Sequence, residues 1–131
     1  MVKKADWKTV DMPEEVDHFT MEMKLTADGL ENLKEGHHPK EMEDKWFMYY
    51  ENEKFYIHRS WTGFCIYIIS QVFDSDILEV TVNRNREQYT ETSAERDKIM
   101  VTILLNSWSK QGADNRDLMM QWVKWPNKPE N

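Results

Sequence analysis

The sequence has very little cysteine and no long hydrophobic run. Cys65 is the single cysteine among 131 residues, which excludes an intramolecular disulfide and a thiolate metal cluster. No apolar stretch approaches the length of a membrane span, and the N-terminal residues MVKKADWK lack the hydrophobic segment of a signal peptide. We therefore expect a soluble cytoplasmic protein with no membrane partner and no metal site.

Positive charge is scarce as well. The chain has 24 Asp and Glu residues against 17 Lys and Arg residues, which gives a formal net charge of -7. Without a basic block or stripe, general binding to nucleic acids is not expected. The sequence also has no glycine-rich phosphate loop, no paired-histidine metalloprotease motif and no nucleophile elbow. It therefore points to no particular reaction and to no cofactor.

Two aromatic-rich segments, residues 45–51 and 55–61, are typical of neighbouring β-strands. The polar residues 51–54 between them suit a tight connection. A two-residue turn at Asn52 and Glu53 gives the same register as a four-residue loop. That register places Tyr50 opposite Phe55, Met48 opposite Ile57, Trp46 opposite Arg59 and Asp44 opposite Trp61.

A second turn is expected at Thr62 and Gly63, because glycine tolerates the positive φ angles of hairpin turns. It would place Ser60 opposite Cys65, Arg59 opposite Ile66 and His58 opposite Tyr67. Since side chains alternate between the two faces of a sheet, two groups form at one end of the sheet. Asp44, Trp46, Arg59 and Trp61 share one face, and His58, Ser60 and Tyr67 share the other.

The segments on either side of this region complete the fold. Residues 18–25 alternate as a half-buried strand, and Thr26 can cap a short helix that ends near Gly36. A further strand is expected over residues 77–83 and a long helix from about residue 95 to residue 110. The long helix carries an apolar stripe that predicts core packing, formed by Ile99, Met100, Ile103, Leu104 and Trp108.

The order of these segments predicts an α+β fold, with a mainly antiparallel sheet of about five strands and helices packed on one face. Residues 117–125 can add a short final helix. We expect a single domain over residues 1–131, with peripheral or flexible segments at residues 1–17 and 126–131.

Arg59 is the leading candidate for a functional side chain. An arginine in the middle of a sheet must be paired or must face a ligand, because an unpaired buried charge costs several kcal/mol. One interpretation is a salt bridge to Asp44, Glu43 or the C-terminal helix, with the guanidinium stacked on a tryptophan. The other is a two-point contact with a phosphate or carboxylate. The sequence leaves both open.

Other polar residues near this region favour structural interpretations. His37 and His38 are adjacent, and consecutive side chains rarely converge on one metal ion, so solvated loop histidines are expected. His58 and Ser60 lie two residues apart on one strand, about 7 Å at the backbone, which is marginal for a catalytic hydrogen bond. Glu43, with its acidic neighbours, either accepts a sugar hydroxyl or acts as a general base, or lies in a solvated lead-in to the strand; the solvated lead-in is favoured.

The string GHHPKEMEDKWFMYYENEKFYIHRSWTGFCIYII, followed by VNRNREQY, resembles an uncharacterised small domain of bacteria and phages. The pattern of that domain is roughly GH-P-EMEDKWF, HRSWTG and VNR, and it is associated with ADP-ribosylglycohydrolase and macrodomain proteins. The resemblance covers about residues 25–105 and implies a nucleotide or ADP-ribose type ligand. The matching positions are Glu43, Asp44, Lys45, Trp46, His58, Arg59, Ser60, Trp61, Thr62 and Gly63.

Two functions follow as hypotheses. The first is a small ligand-binding domain for an anionic nucleotide or ADP-ribose type ligand, with catalysis left open. Arg59 and Lys45 would hold the anionic group, Trp46 and Trp61 would stack on a planar ring, and Glu43 or Asp44 would accept sugar hydroxyls. The alternative is an acidic protein-interaction module, such as a phage-type inhibitor of a host or defence protein. A concave pocket walled by these residues favours the first, and a flat sheet with the residues mutually paired favours the second.

Overall fold

The computed structural model describes residues 1–72 and 75–126. Within these residues five strands form one antiparallel sheet in the order β1-β5-β4-β3-β2, accompanied by three α-helices. The predicted α+β fold is therefore confirmed. The elements are a 3-10 turn Lys4–Asp6, then β1 Val16–Glu22, α1 Ala27–Lys34, β2 Trp46–Glu51, β3 Lys54–Arg59, β4 Cys65–Gln71, β5 Ile77–Asn83, α2 Ala94–Ser109 and α3 Arg116–Val123.

The first central hairpin has the predicted register, with Trp46 opposite Arg59. Its turn is the two-residue form, in which Asn52 and Glu53 have φ angles of 51° and 63°. Two consecutive positive φ angles match the twist of the flanking strands. The pairing ends where the Ser60 amide donates to the Lys45 carbonyl at 2.8 Å. The proposed facing of Asp44 and Trp61 therefore lies beyond the ladder.

The register predicted for the second hairpin is wrong. The Arg59 amide donates to the Phe64 carbonyl and the Gly63 amide donates to the Arg59 carbonyl, each at 2.9 Å. These bonds close a four-residue turn over residues 60–63, in place of the expected two-residue turn. A bulge then shifts the ladder, so that Ile57 faces Tyr67 and His58 faces Cys65.

The bulge changes which face of the sheet Tyr67 occupies. We expected Tyr67 beside His58, but it lies on the helix-covered face, stacked 6.3 Å from Trp46 between ring centroids. There it belongs to the main core, which lies between the sheet and the helices. The core residues are Met21, Met23, Leu33, Trp46, Met48, Phe55, Ile57, Ile66, Tyr67, Ile69, Leu78, Val80, Val82, Tyr89, Val101, Leu104 and Leu105.

The apolar stripe predicted for α2 is correct at Leu104, and Met100 and Trp108 also pack against the core as partly buried residues. Val101 and Leu105 are also buried in the core, whereas Ile99 and Ile103 are half-buried. The reason is the packing of α3 along α2: Ile99 lines a groove with Leu118 of α3. An amphipathic helix that contacts a second helix as well as a sheet buries more than one stripe.

Part of residues 1–17, which we expected to be peripheral or flexible, packs on the face of the sheet opposite the helices, and Val16 and Asp17 already belong to β1. The Trp7 ring stacks on Phe47 with centroids 6.2 Å apart, and Val10 forms an isolated parallel bridge with Phe64. Of the predicted flexible tail, Pro126 is described and residues 127–131 lie outside the described residues. In the part of the chain that the structure describes, no helix has the length and apolarity needed to span a membrane.

Candidate functional site

A cleft of about 570 Å³ opens where β2 begins and β3 ends. The first hairpin supplies one wall, the loop after β5 supplies a second, and the helices α2 and α3 close the third side. We call it the arginine cleft. Its lining residues are Lys45, Trp46, Arg59, Trp61, Thr62, Arg86, Glu87, Gln88, Tyr89, Thr90, Met100 and Trp122.

Arg59 lies on the floor of this cleft without a charged partner. Its Cζ atom is 4.5 Å from the centroid of the Trp46 ring and 5.9 Å from that of Tyr89. Among residues 1–72 and 75–126, the guanidinium makes no hydrogen bond and no ion pair. Stacking on aromatic faces holds the group in place and leaves its in-plane N–H donors available.

The charge of the cleft differs in sign from that of the whole chain. Lys45, Arg59 and Arg86 contribute three cations to its lining, and Glu87 is the one carboxylate among those lining residues. The whole protein has a formal net charge of -7. A cleft lined by cations focuses the electrostatic field and raises the local concentration of anions, even in a protein that is acidic as a whole.

The loop after β5 is held by asparagine side chains. The buried Asn83 side chain donates from Nδ2 to the Cys65 carbonyl at 2.9 Å and to Gln88 Oε1 at 2.8 Å. Its Oδ1 accepts from the backbone N–H of Asn85. Asn85 Oδ1 in turn accepts from the Glu87 amide at 2.9 Å. Such side-chain bonds to the local backbone fix a loop conformation, and here they direct residues 86–90 into the cleft.

A buried carboxylate of α2, that of Asp97, also holds the loop after β5. Asp97 of α2 is fully buried, and its Oδ1 accepts hydrogen bonds from Tyr67 at 2.8 Å and from Tyr89 at 3.0 Å. Its Oδ2 forms an ion pair with Arg84. Burial raises the pKa of the Asp97 carboxyl, and the Arg84 guanidinium opposes that shift. Tyr89 is thereby held as a cleft wall with its hydroxyl directed into the protein.

The helical wall is fixed by a second buried ion pair. Arg96 of α2 pairs with Glu91, and its Cζ atom lies 3.9 Å from the centroid of the Trp122 ring. Arg96 also donates to the Trp122 carbonyl at 3.1 Å. Trp122 thus joins α3 to the cleft although α3 has no fully buried residue.

Of the predicted site residues, Lys45, Trp46, Arg59 and Trp61 line the arginine cleft. Trp46 is only 9% exposed and carries Arg59 on its ring, so a ligand ring cannot stack on that face. Trp61 is 65% exposed, and its Nε1 donates to the Met42 carbonyl at 2.8 Å. Trp61 is therefore the fixed and accessible aromatic surface of the cleft.

The predicted acidic residues do not line the cleft. Asp44 accepts no hydrogen bond from an arginine among the described residues. Its Oδ2 lies 2.7 Å from Nε2 of His37, whose ring stacks on Trp108. His37 is therefore half-buried rather than solvated. Glu43 is exposed outside the cleft. Ser60 is buried and donates to the Asp44 carbonyl at 2.8 Å, which makes it a link between the two central strands.

His58 lies on the opposite face of the sheet. Its Nδ1 is 2.9 Å from the Gly63 carbonyl, and because a carbonyl only accepts, Nδ1 carries the proton. Nε2 is buried without a hydrogen-bond partner among the described residues. Burial lowers the pKa of His58, and burial raises the pKa of the neighbouring Cys65 thiol to about 12. A neutral histidine beside a protonated thiol is a structural arrangement.

A second cleft of about 680 Å³ lies on the other side of Trp61. The N-terminal segment forms its outer wall, because Trp7 Nε1 donates to the Ser60 carbonyl at 2.7 Å and the Val10 amide donates to the Gly63 carbonyl at 2.8 Å. We call it the lysine cleft. Its lining residues are Trp7, Lys8, Pro39, Lys40, Glu41, Met42, Ser60 and Trp61.

Sequence reasoning missed the wall formed by Arg86, Gln88, Tyr89, Met100 and Trp122. The string VNRNREQY offered a signal, since it combines two arginines with turn-forming asparagines. Nothing in the local pattern shows that this loop returns to the end of β3. No protein-family model, curated protein or solved structure matches this chain.

Proposed function

We propose that the arginine cleft binds the phosphate group of a nucleotide or ADP-ribose type ligand. The observation that carries the proposal is the state of Arg59, which is stacked on Trp46 and has no ion pair among the described residues, in a cleft that also contains Lys45 and Arg86. A stacked guanidinium presents its N–H donors along one edge. That edge matches the geometry of a phosphate.

Trp61 supplies the surface for a planar ring. Its indole is exposed but fixed by the bond to Met42, so little conformational entropy is lost when a ring stacks on it. Trp46, which we had expected to share this role, instead positions Arg59. Glu87 replaces Glu43 and Asp44 as the carboxylate able to accept sugar hydroxyls, because it is the one that lines the cleft.

The alternative of an acidic interaction module has less support. It expects the motif residues to be mutually paired on a flat sheet. Instead, Lys45, Arg59 and Trp61 wall a concave space, and the carboxylates that could have neutralised Arg59 are engaged elsewhere or exposed. The EDKWF and HRSWTG strings add a reason to include ADP-ribose among the ligands tested.

The test is a calorimetric titration with adenosine 5′-monophosphate, adenosine 5′-diphosphate and ADP-ribose. Arg59→Lys should leave the fold intact and weaken binding by roughly 1.5–3 kcal/mol, the range for hydrogen bonds to charged groups. The reason is that an ammonium cannot reproduce the planar two-point contact. Arg116→Lys is the matched control, because Arg116 is exposed and pairs with Asp114 outside the cleft. Equal affinities for wild type and Arg59→Lys would refute the proposal.

A further inference from the structure

Trp61 lies on a ridge between two clefts. The turn over residues 60–63 carries it, with Ser60 and Trp61 lining the lysine cleft and Trp61 and Thr62 lining the arginine cleft. The same turn holds the N-terminal segment through Trp7 and Val10. Both clefts are therefore built on one rigid element, and a ligand ring on Trp61 has cationic side chains on either side.

The lining of the lysine cleft also has an excess of positive charge. Lys8 and Lys40 line it together with a single carboxylate, Glu41. Neither lysine forms a salt bridge or a side-chain hydrogen bond within residues 1–72 and 75–126. In a chain with a net charge of -7, two lysines without carboxylate partners in one cleft favour an anionic occupant.

We infer that the ligand carries phosphate on both sides of its ribose, as in a nucleoside 3′,5′-bisphosphate. This inference rests on the proposed function, because it takes the 5′ phosphate to bind near Arg59. With the base on Trp61, the ribose lies at the ridge. Its 5′ and 3′ oxygens leave the ring in opposite directions, so a 5′ phosphate in the arginine cleft directs the 3′ phosphate toward Lys8 and Lys40.

The placement of charge, and not its amount, distinguishes this ligand. Adenosine 5′-diphosphate has a similar charge with both phosphates on the 5′ side, whereas adenosine 3′,5′-bisphosphate divides them. We expect the bisphosphate to bind about tenfold or more tightly than either adenosine 5′-monophosphate or the 5′-diphosphate, the effect of one additional charge-assisted contact. The dinucleotide pApA tests the same contact with a phosphodiester. Whichever of pApA and adenosine 3′,5′-bisphosphate binds more tightly shows whether the 3′ phosphate belongs to an oligonucleotide or to a free nucleotide.

Lys40→Ala should remove this tenfold advantage and leave the affinity for the monophosphate unchanged. Lys8→Ala should act in the same direction. The matched control is Lys54→Ala, an exposed lysine beside the turn at the far end of the hairpin. These variants test binding without a folding defect, because the lysines at 8 and 40 are exposed.

Two results would overturn the inference and leave the proposed function standing. One is the finding that neither the bisphosphate nor pApA binds more tightly than the 5′-diphosphate, while binding still depends on Arg59. The other is a Lys40→Ala variant that weakens the monophosphate and the bisphosphate equally, which would show a general field effect. Absence of binding by every adenine nucleotide would refute both the proposed function and the inference.

Discussion

The guanidinium of Arg59 lies over the indole of Trp46, with Cζ 4.5 Å from the ring centroid. The two residues face each other across the β2–β3 ladder, so the strand register itself creates the contact. A cation–π contact contributes about 0.5–2 kcal/mol, depending on its exposure. It therefore positions the arginine without neutralising its charge, and this is the property that a binding arginine requires.

Gly63 should be intolerant of any side chain. Its φ angle is 81°, and a Cβ atom there would lie 2.9 Å from the Lys8 carbonyl oxygen. We expect Gly63→Ala to lower the free energy of unfolding by about 2 kcal/mol or more, because left-handed strain adds to a backbone clash. Chemical denaturation measures this directly.

Gly112 provides the matched control for that substitution. Its φ angle is 86°, but a Cβ atom would meet nothing within 4 Å. Gly112→Ala should therefore cost about 1 kcal/mol from backbone strain alone. Similar losses at both positions would mean that the N-terminal segment does not pack on the turn as the structure describes.

Asp97 should be essential for stability. Removing its charge leaves Arg84 without its buried partner and weakens the bonds from two tyrosines. Asp97→Asn should cost about 2 kcal/mol or more in urea denaturation, because it removes the charge-assisted hydrogen bonds of a buried carboxylate, although Arg84 keeps its ion pair with Asp17 at 3.0 Å. Asp114→Asn, which changes an exposed pair with Arg116, should leave the midpoint nearly unchanged. A small effect at Asp97 would contradict the buried network.

Local sequence patterns predict the first hairpin but not the second turn. The register of the first hairpin follows from local chemistry, since the aromatic alternation and the turn at Asn52 and Glu53 agree. The second turn does not, because its length is set by contacts from distant residues. Gly63 packs against the backbone of Lys8, and the Tyr67 hydroxyl donates a hydrogen bond to Asp97, which lies 30 positions later in the chain. A one-residue bulge satisfies these contacts, and the pattern of β4 alone contains no sign of it.

The cleft was predictable to the same extent. Its β2 and β3 wall could be placed from alternation once the register was known. Arg86 and Trp122 reach the cleft through packing of the loop after β5 and of α3, which local periodicity does not encode. Asp44 was misplaced because its carboxylate pairs with His37, a residue brought beside β2 by an isolated bridge to Met48.

His58 should make stability depend on pH. Burial lowers its pKa in the folded state below the ordinary value of 6.5, so the unfolded chain binds the proton more readily. The contribution of His58 to the free energy of unfolding is then fully present above about pH 6.5 and is lost as the pH decreases toward the folded-state pKa. His58 lines a small pocket together with other titratable groups, which are Lys4, Asp11, Tyr49, Glu51, Tyr56 and Cys65.

The pH dependence can be assigned with a substitution. His58→Asn can keep a donor for the Gly63 carbonyl and removes the titrating group. Its free energy of unfolding should vary less than that of wild type as the pH is lowered from 6.5, when measured by urea denaturation at a series of pH values. His18→Asn changes an exposed histidine and serves as the control. Parallel curves for wild type and His58→Asn would show that another group is responsible.

Trp61 should contribute to binding far more than to folding. The indole is 65% exposed and lines both clefts. Trp61→Ala should weaken adenosine 5′-monophosphate by roughly 1–3 kcal/mol, the range for a base stacked on an aromatic side chain. It should change the free energy of unfolding by less than about 1 kcal/mol. Trp61→Phe should retain part of the affinity, because a smaller ring still stacks.

Two controls separate stacking from other effects of the substitution at Trp61. Pyrophosphate has no ring, so its affinity should be the same for wild type and Trp61→Ala if the indole acts by stacking. Trp125→Ala changes a tryptophan that lines a groove between α2 and α3, away from both clefts, and should leave nucleotide affinity unchanged. If Trp61→Ala weakened pyrophosphate and the nucleotide by the same factor, the indole would be shaping the turn over residues 60–63 and not binding a base.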